Sequence, residues 1–207
     1  VVCGNKTAYL GKIVSTYLLL YCQQTRMELE TLFTQRLILK KLTADDLKFI
    51  FASYSPNEVK QLLGFVSDEE YLKEKQKSDI GHTSHHRSIC QFIFIDKESG
   101  KTIGRGGFHN WFVLHHRSEI GYLISDLAFR QKGLMSEALK AMIDYGFSAM
   151  KLHRIEAFTA DDNFASIRLL EKNGFIKEAL LREHYLLDGK FIDSLMFSKL
   201  STEHTFL

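Results

Sequence analysis

The stretch Glu119–Ala138, EIGYLISDLAFRQKGLMSEA, decides how the chain is read. Glu119–Ile124 reads as a strand ending near Ser125, and Gly133–Met150 as a long amphipathic helix. Between them runs Arg130-Gln-Lys-Gly133-Leu-Met-Ser136. The first amides of a helix lack intrahelical partners and the peptide dipoles add positive potential, so a helix start is an anion site. Gly133 lets a bulky diphosphate approach the backbone, while Arg130 and Lys132 bring charge to it. The plain alternative is a helix start with two solvated cations. Neither G-x-x-x-x-G-K-[ST] nor G-x-G-x-x-G after a strand is present, so the common nucleotide loops are absent.

Working outward, Arg154–Thr159 reads as the next strand and Phe164–Lys172 as a helix stopped by Asn173-Gly174. Phe175–Leu187 and Lys190–Leu200 flank Asp188-Gly189, a strong two-residue hairpin turn. On the amino-terminal side, Cys90–Asp96 and Lys101–Phe108 form a hairpin around Lys97–Gly100. Phe33–Leu42 alternates, with Leu37 and Leu39 on one face and Arg36, Ile38 and Lys40 on the other. Thr43-Ala-Asp-Asp46, Ser55-Pro-Asn-Glu58 and Ser67-Asp-Glu-Glu70 each open a helix, the third running through Lys77. Gly81–Arg87 is a loop. No repeat or linker interrupts this order, which makes residues 27–207 one domain.

Composition narrows the function. The 207 residues are 45% hydrophobic and 25% charged, as in an ordinary globular chain. The net charge is +2, from 27 basic and 25 acidic residues. Lys6, Lys12 and Arg26 lie in a segment without acids, and taking those three from 27 leaves 24 basic against 25 acidic residues. A nearly neutral body argues against nucleic acid as partner. Three cysteines, of which only Cys90 lies beyond residue 26, fit a reducing, cytoplasmic setting. The uncharged run Ile13–Thr25 is shorter than the ~20 residues that span a bilayer, and no small-residue cleavage site follows it. Residues 1–26 are therefore read as an extension outside the functional argument.

Several motifs in one order resemble the GNAT N-acetyltransferases. Arg130-Gln-Lys-Gly133-Leu-Met is similar to that family's R/Q-x-x-G-x-G/A pyrophosphate loop, with Met135 in place of the small residue. Asn163-Phe-Ala-Ser166 and Leu170-Glu-Lys-Asn-Gly-Phe175 resemble its second motif. Thr34-Gln-Arg-Leu-Ile-Leu39, Glu119-Ile-Gly-Tyr122 and Leu181-Arg182…Asp188-Gly189…Asp193 resemble the Rim-type branch, which acetylates ribosomal-protein N-termini.

The resemblance implies an α/β fold with a central mixed, mostly antiparallel sheet of about seven strands and helices on both faces. It also implies acetyl-CoA as co-substrate and no metal. Strand Glu119–Ser125 would splay from its parallel neighbour Arg154–Thr159. Backbone around Ile124, Leu127 and Ala128 would then pair with the pantetheine arm. Amides of Gln131, Lys132, Gly133, Leu134, Met135 and Ser136 would hold the diphosphate beside Arg130, and Asn163 would bond the pantetheine.

Acetyl transfer to an amine needs a base, and a donor for the departing thiolate. Glu119 stands 14 residues before Gly133, the spacing of the base in the histone-acetylating branch. Its plain alternative is a strand-end carboxylate paired with Arg117 or Arg154. The tyrosine acid of many members falls here on Leu170, whereas Ser166 matches the serine used by Rim-type enzymes; its alternative is helix-internal or capping hydrogen bonding. The Rim-type base position falls on Tyr185, with Glu183 beside it. His109, Asn110 and Trp111 follow the hairpin where the fold places acceptor contacts, although Trp111 is equally a packing residue. The histidine pairs lack metal spacing, and Cys90 reads as a buried thiol.

The function expected is direct acetyl transfer to a primary amine. The acceptor is a protein N-terminus or, alternatively, a small polyamine-like or aminated metabolite. The rival class is a non-catalytic CoA-binding regulatory domain. No nucleic acid or membrane partner is expected, and a homodimer is admitted.

Overall fold

The computed structural model describes residues 29–80 and 88–205. The expectations for residues 1–26 and for the loop at 81–87 lie outside these residues. Among the described residues eight strands form one sheet: β1 (Thr31–Phe33), β2 (Leu37–Leu42), β3 (Ser88–Asp96), β4 (Thr102–Phe112), β5 (Arg117–Ile124), β6 (Arg154–Ala160), β7 (Ile176–Leu187) and β8 (Lys190–Leu200). Their order is β1-β2-β3-β4-β5-β6-β8-β7. Every neighbouring pair is antiparallel except β5 and β6.

Against the expected number of about seven, the eighth strand arises at Phe33–Leu42. That run is broken rather than continuous. The Thr34 N–H donates to the Leu37 carbonyl and the Leu37 N–H to the Thr34 hydroxyl, both at 3.0 Å. The turn folds β1 back along β2. The alternation survives it, with Leu37 and Leu39 fully buried.

Helices α1 (Ala44–Ser53), α2 (Pro56–Leu63) and α3 (Asp68–Ile80) begin where their capping residues say. Thr43 with Asp46 and Ser55 with Glu58 form reciprocal capping boxes, and Ser67 accepts from the Glu70 N–H. Leu47, Ile50, Val59, Leu62 and Tyr71 pack onto one sheet face around Leu42 and Ile93. Helices α4 (Leu134–Ser148) and α5 (Phe164–Lys172) share the core of the other face with Phe92, Phe94, Phe108, Ile155 and Phe197. The turn joining β7 and β8 has both central residues at positive φ, Asp188 at 49° and Gly189 at 76°. That is the geometry that matches strand twist in a tight hairpin.

Only β5 and β6 run parallel, because α4 carries the chain over one face between them. Their pairing covers Arg117↔Arg154, Ser118↔Ile155 and Glu119↔Glu156 and then stops. Beyond Glu119 the two strands part. The wedge so formed lies beside the start of α4, and it positions everything that follows.

Candidate active site

The start of α4 is built to present amides. Gly133 is the N-cap at φ 75°, with no side-chain hydrogen bond closing the first turn. Gln131 is also left-handed, at φ 59°. The Met135 side chain packs against the core, so only its backbone belongs to the loop. The small residue replaced by Met135 is thus not missed, because the larger side chain turns inward. Arg130 bonds through Nε to the Ile124 carbonyl at 3.0 Å, and Lys132 Nζ stands 5.4 Å over the Phe129 ring. Both cations border the amides. A diphosphate fits this place by charge and by access, since a Cβ built on Gly133 meets only Arg36 Nη2, at 3.6 Å.

The wedge leads away from that loop. On its β6 side the Thr159 hydroxyl is buried without a hydrogen-bond partner among the described residues. Buried polar groups are normally satisfied, so an orphan here fits an amide-bearing chain entering between the strands. Two of the backbone groups expected to meet such a chain are already engaged. The Ile124 carbonyl accepts from Arg130, and the Ala128 N–H donates to Asp126 Oδ1 at 2.9 Å, because Asp126 caps the short turn Leu127–Phe129. Leu127 remains exposed. Asn163 spends its Oδ1 capping α5, accepting from the Ser166 N–H at 3.2 Å.

Glu119 stands at the vertex, the last residue of β5 that pairs with β6. It faces His109, its cross-strand partner on β4, with Nε2 to Oε1 at 2.8 Å. The Asn110 amide donates to Oε2 at 2.9 Å, aimed there by a left-handed backbone (φ 48°) where the β4–β5 register shifts. Burial alone would raise the Glu119 pKa. The His109 and Asn110 hydrogen bonds and the charge of His184 outweigh it and hold the carboxyl below its ordinary value. The alternative pairing of Glu119 with Arg117 or Arg154 is not what the structure shows. Glu156 takes both arginines, at 2.9 and 2.8 Å.

Beside Glu119 a cavity of about 440 Å³ opens between α3 and the sheet, lined by Glu74, Arg105, Gly107, His109, Gly121 and Leu123 among others. Gly107 and Gly121 are cross-strand partners that form its floor. A Cβ on Gly107 would lie 2.2 Å from the Cys90 carbonyl. Tyr185 is close enough for the Glu119 charge, after burial, to raise its phenol pKa. Glu183 sits at a positive-φ break in β7, where its N–H donates to Asp193. Trp111 is half-buried against the core, which favours its packing role over contact with an acceptor.

Sequence reasoning missed Tyr122. Three residues after Glu119, strand alternation puts it on the opposite face, where its hydroxyl lies 3.0 Å from Ser166 Oγ on α5. That bond bridges the wedge. The Ser166 hydroxyl therefore meets a phenol, while its N–H caps the helix start through Asn163. Burial raises the Tyr122 pKa more than the Ser166 hydrogen bond lowers it, so the phenol is a proton donor at neutral pH. Leu170, at the place of the usual tyrosine, is fully buried in the core. Cys90 is buried too, its thiol pushed up to about 12 by burial. Among the described residues no three His, Cys, Asp or Glu side chains gather as a metal site.

Known proteins resemble this chain in sequence and in fold. Residues 36–176 match the family model described as an acetyltransferase (GNAT) domain. The uncharacterized N-acetyltransferase p20 of Bacillus licheniformis is 35% identical over 179 residues, 85% of this chain and 99% of its own length. A ribosomal N-acetyltransferase candidate of Bacillus subtilis, YdaF, is 30% identical over 104 residues, half of this chain and 56% of its own. Among solved structures, the spermidine/spermine N-acetyltransferase SpeG of Vibrio cholerae superposes with a TM-score of 0.59 at 23% identity, over 81% of this chain and 96% of that one.

Proposed function

The chain belongs to the GNAT acetyltransferase family and is an N-acetyltransferase, and from that premise we propose that it moves acetyl from acetyl-CoA directly onto the α-amine of a peptide. The observation that carries this is the place of Glu119 at the vertex where β5 and β6 part. The loop at Gly133 opens on one side of that vertex and the cavity on the other.

Acetyl-CoA supplies an acyl group already activated as a thioester. The amides of Gly133–Ser136, with Arg130 and Lys132, would bind its diphosphate, and Thr159 would satisfy its orphan hydroxyl on the pantetheine. Glu119, charged at neutral pH, would attract the incoming ammonium and take one proton from it, freeing the nitrogen lone pair that then attacks the thioester carbonyl. Ser166, backed by Tyr122, would return a proton to the departing sulfur.

Two features favour an α-amine over a polyamine. A carboxylate with a depressed pKa is a weak base. Removing a proton from an α-amine of pKa ~7.7–8.0 asks less of it than from a lysine-like amine of ~10.4. Among the described residues that line the cavity the one carboxylate, Glu74, is tied to Lys77 at 2.7 Å, so they offer a polycation no surplus of negative charge. A cytoplasmic setting suits both acetyl-CoA supply and the free thiol of Cys90.

The test is an acetylation screen across N-terminal peptides, polyamines and aminoglycosides, read by release of free CoA thiol. Turnover should be fastest with peptides. A preference for spermidine or spermine would replace this acceptor class with the polyamine one. No turnover with any amine, despite CoA binding, would leave a binding domain.

A further inference from the structure

Thr34 and Arg36, in the turn between β1 and β2, make a set of contacts that cofactor binding as described does not use. The Arg36 N–H donates to Glu137 Oε1 at 2.6 Å and its Nε to Oε2 at 2.8 Å. Its Nη1 donates to the Lys132 carbonyl at 2.8 Å. The Thr34 hydroxyl donates to the same Oε1 at 2.6 Å. Arg36 Nη2, the remaining nitrogen, lies 3.6 Å from where a Gly133 Cβ would be. One side chain thus grips α4 at its first turn and the loop just before it.

Charge gives the grip a purpose. Glu137 lies in the first turn of α4 with its side chain largely buried. Burial alone would raise its pKa, but bonds to Thr34 and Arg36 prevail and keep it ionised. A carboxylate at that position favours the helix end but repels a phosphate bound there. Arg36 cancels the repulsion and fixes the Lys132 carbonyl, so that the loop amides stay turned toward the ligand.

We propose that Arg36 is the positioning residue of the diphosphate loop, acting through Glu137 and the Lys132 carbonyl; this rests on the reading that the loop at Gly133 binds CoA diphosphate. Preorganised loops bind more tightly because ordering is not left to the ligand. The Arg36 contribution belongs to the diphosphate alone, not to the acetyl-bearing end.

The experiment compares wild type with Arg36→Gln, which shortens the reach and removes the charge. CoA affinity is read by calorimetry, unliganded Tm is measured alongside, and kcat/KM is taken for acetyl-CoA and for acetyl-pantetheine, which lacks the diphosphate. The CoA Kd should rise roughly ten- to a hundredfold, the scale of a lost charge-assisted hydrogen bond. The preference for acetyl-CoA over acetyl-pantetheine should fall by a similar factor, while kcat at saturating acetyl-CoA changes little. Arg36→Lys, which keeps the charge but not the fork, should recover only part of the affinity. A lowered Tm with unchanged CoA Kd would overturn the proposal and leave a structural clasp. Equal losses with both donors would overturn it as well. Should Arg36→Gln fail to fold, Arg36→Lys carries the test, and an unchanged CoA Kd in that variant overturns the proposal. Wild type that binds no CoA would instead overturn the loop reading on which it rests.

Discussion

At Glu119 the chemistry depends on what the neighbours do to one carboxylate. His109 and Asn110 each hold one of its oxygens. Glu119→Gln keeps the volume and most of the hydrogen bonding but cannot take a proton. Loss of a general base typically costs ~10²–10⁴ in rate, so kcat at neutral pH should fall by that order while the acetyl-CoA Kd holds. The rate should partly recover at high pH, where the amine is already free. A variant within a few-fold of wild type at pH 7 would remove Glu119 from the mechanism and turn attention to Tyr185 or Glu183. Stability supplies a second reading of the same variant. The folded-state pKa lies below the ordinary value. The charged form therefore stabilises fully above the unfolded carboxyl's ~4.3, and that stability is lost as pH falls through the depressed value. The Tm gap between wild type and Glu119→Gln should shrink on acidification through that window. The family resemblance, through the 14-residue spacing to Gly133, singled out Glu119. Its partners were not legible, because cross-strand register brings His109 to it and a bulge turns Asn110. Tyr122 lay inside a quoted motif, yet its role needs α5 folded across the wedge.

Among the elements, the glycines of β4 and β5 shape the site as much as any functional side chain. Gly107 and Gly121 face each other under the cavity. A Cβ on Gly121 would lie 3.0 Å from a His109 ring carbon. Gly121→Val should therefore narrow the cavity and press on His109, raising the acceptor KM about tenfold or more, in line with the 1–3 kcal/mol typical of overpacking. Acetyl-CoA affinity should hold, because the loop at Gly133 is untouched. An unchanged acceptor KM, or a matching loss of acetyl-CoA affinity, would show that the cavity does not receive the acceptor. Helix starts were legible at this scale, since Thr43, Ser55 and Ser67 cap by local bonding alone. The break between β1 and β2 was not, because an alternating run of apolar residues does not reveal a turn closed by one threonine.

For the whole molecule, the proposed function has the sheet keep donor and acceptor apart until they meet at one point. Helices α4 and α5 cover the face with the Gly133 loop and the Ser166–Tyr122 pair, while α1–α3 cover the face with the cavity. Strand order was foreshadowed by the order of motifs, but the parting of β5 from β6 exists only in the assembled sheet. This arrangement needs no acetylated enzyme. The thiol of Cys90 is buried and pushed up to about 12, far from a nucleophile at neutral pH. The most direct test mixes enzyme with acetyl-CoA first without and then with an acceptor peptide, following CoA thiol and the intact mass of the protein. Direct transfer predicts no stoichiometric thiol burst and no mass gain before the amine is added, then intersecting double-reciprocal plots. A burst of one thiol per enzyme, with one acetyl retained on the chain, would contradict it.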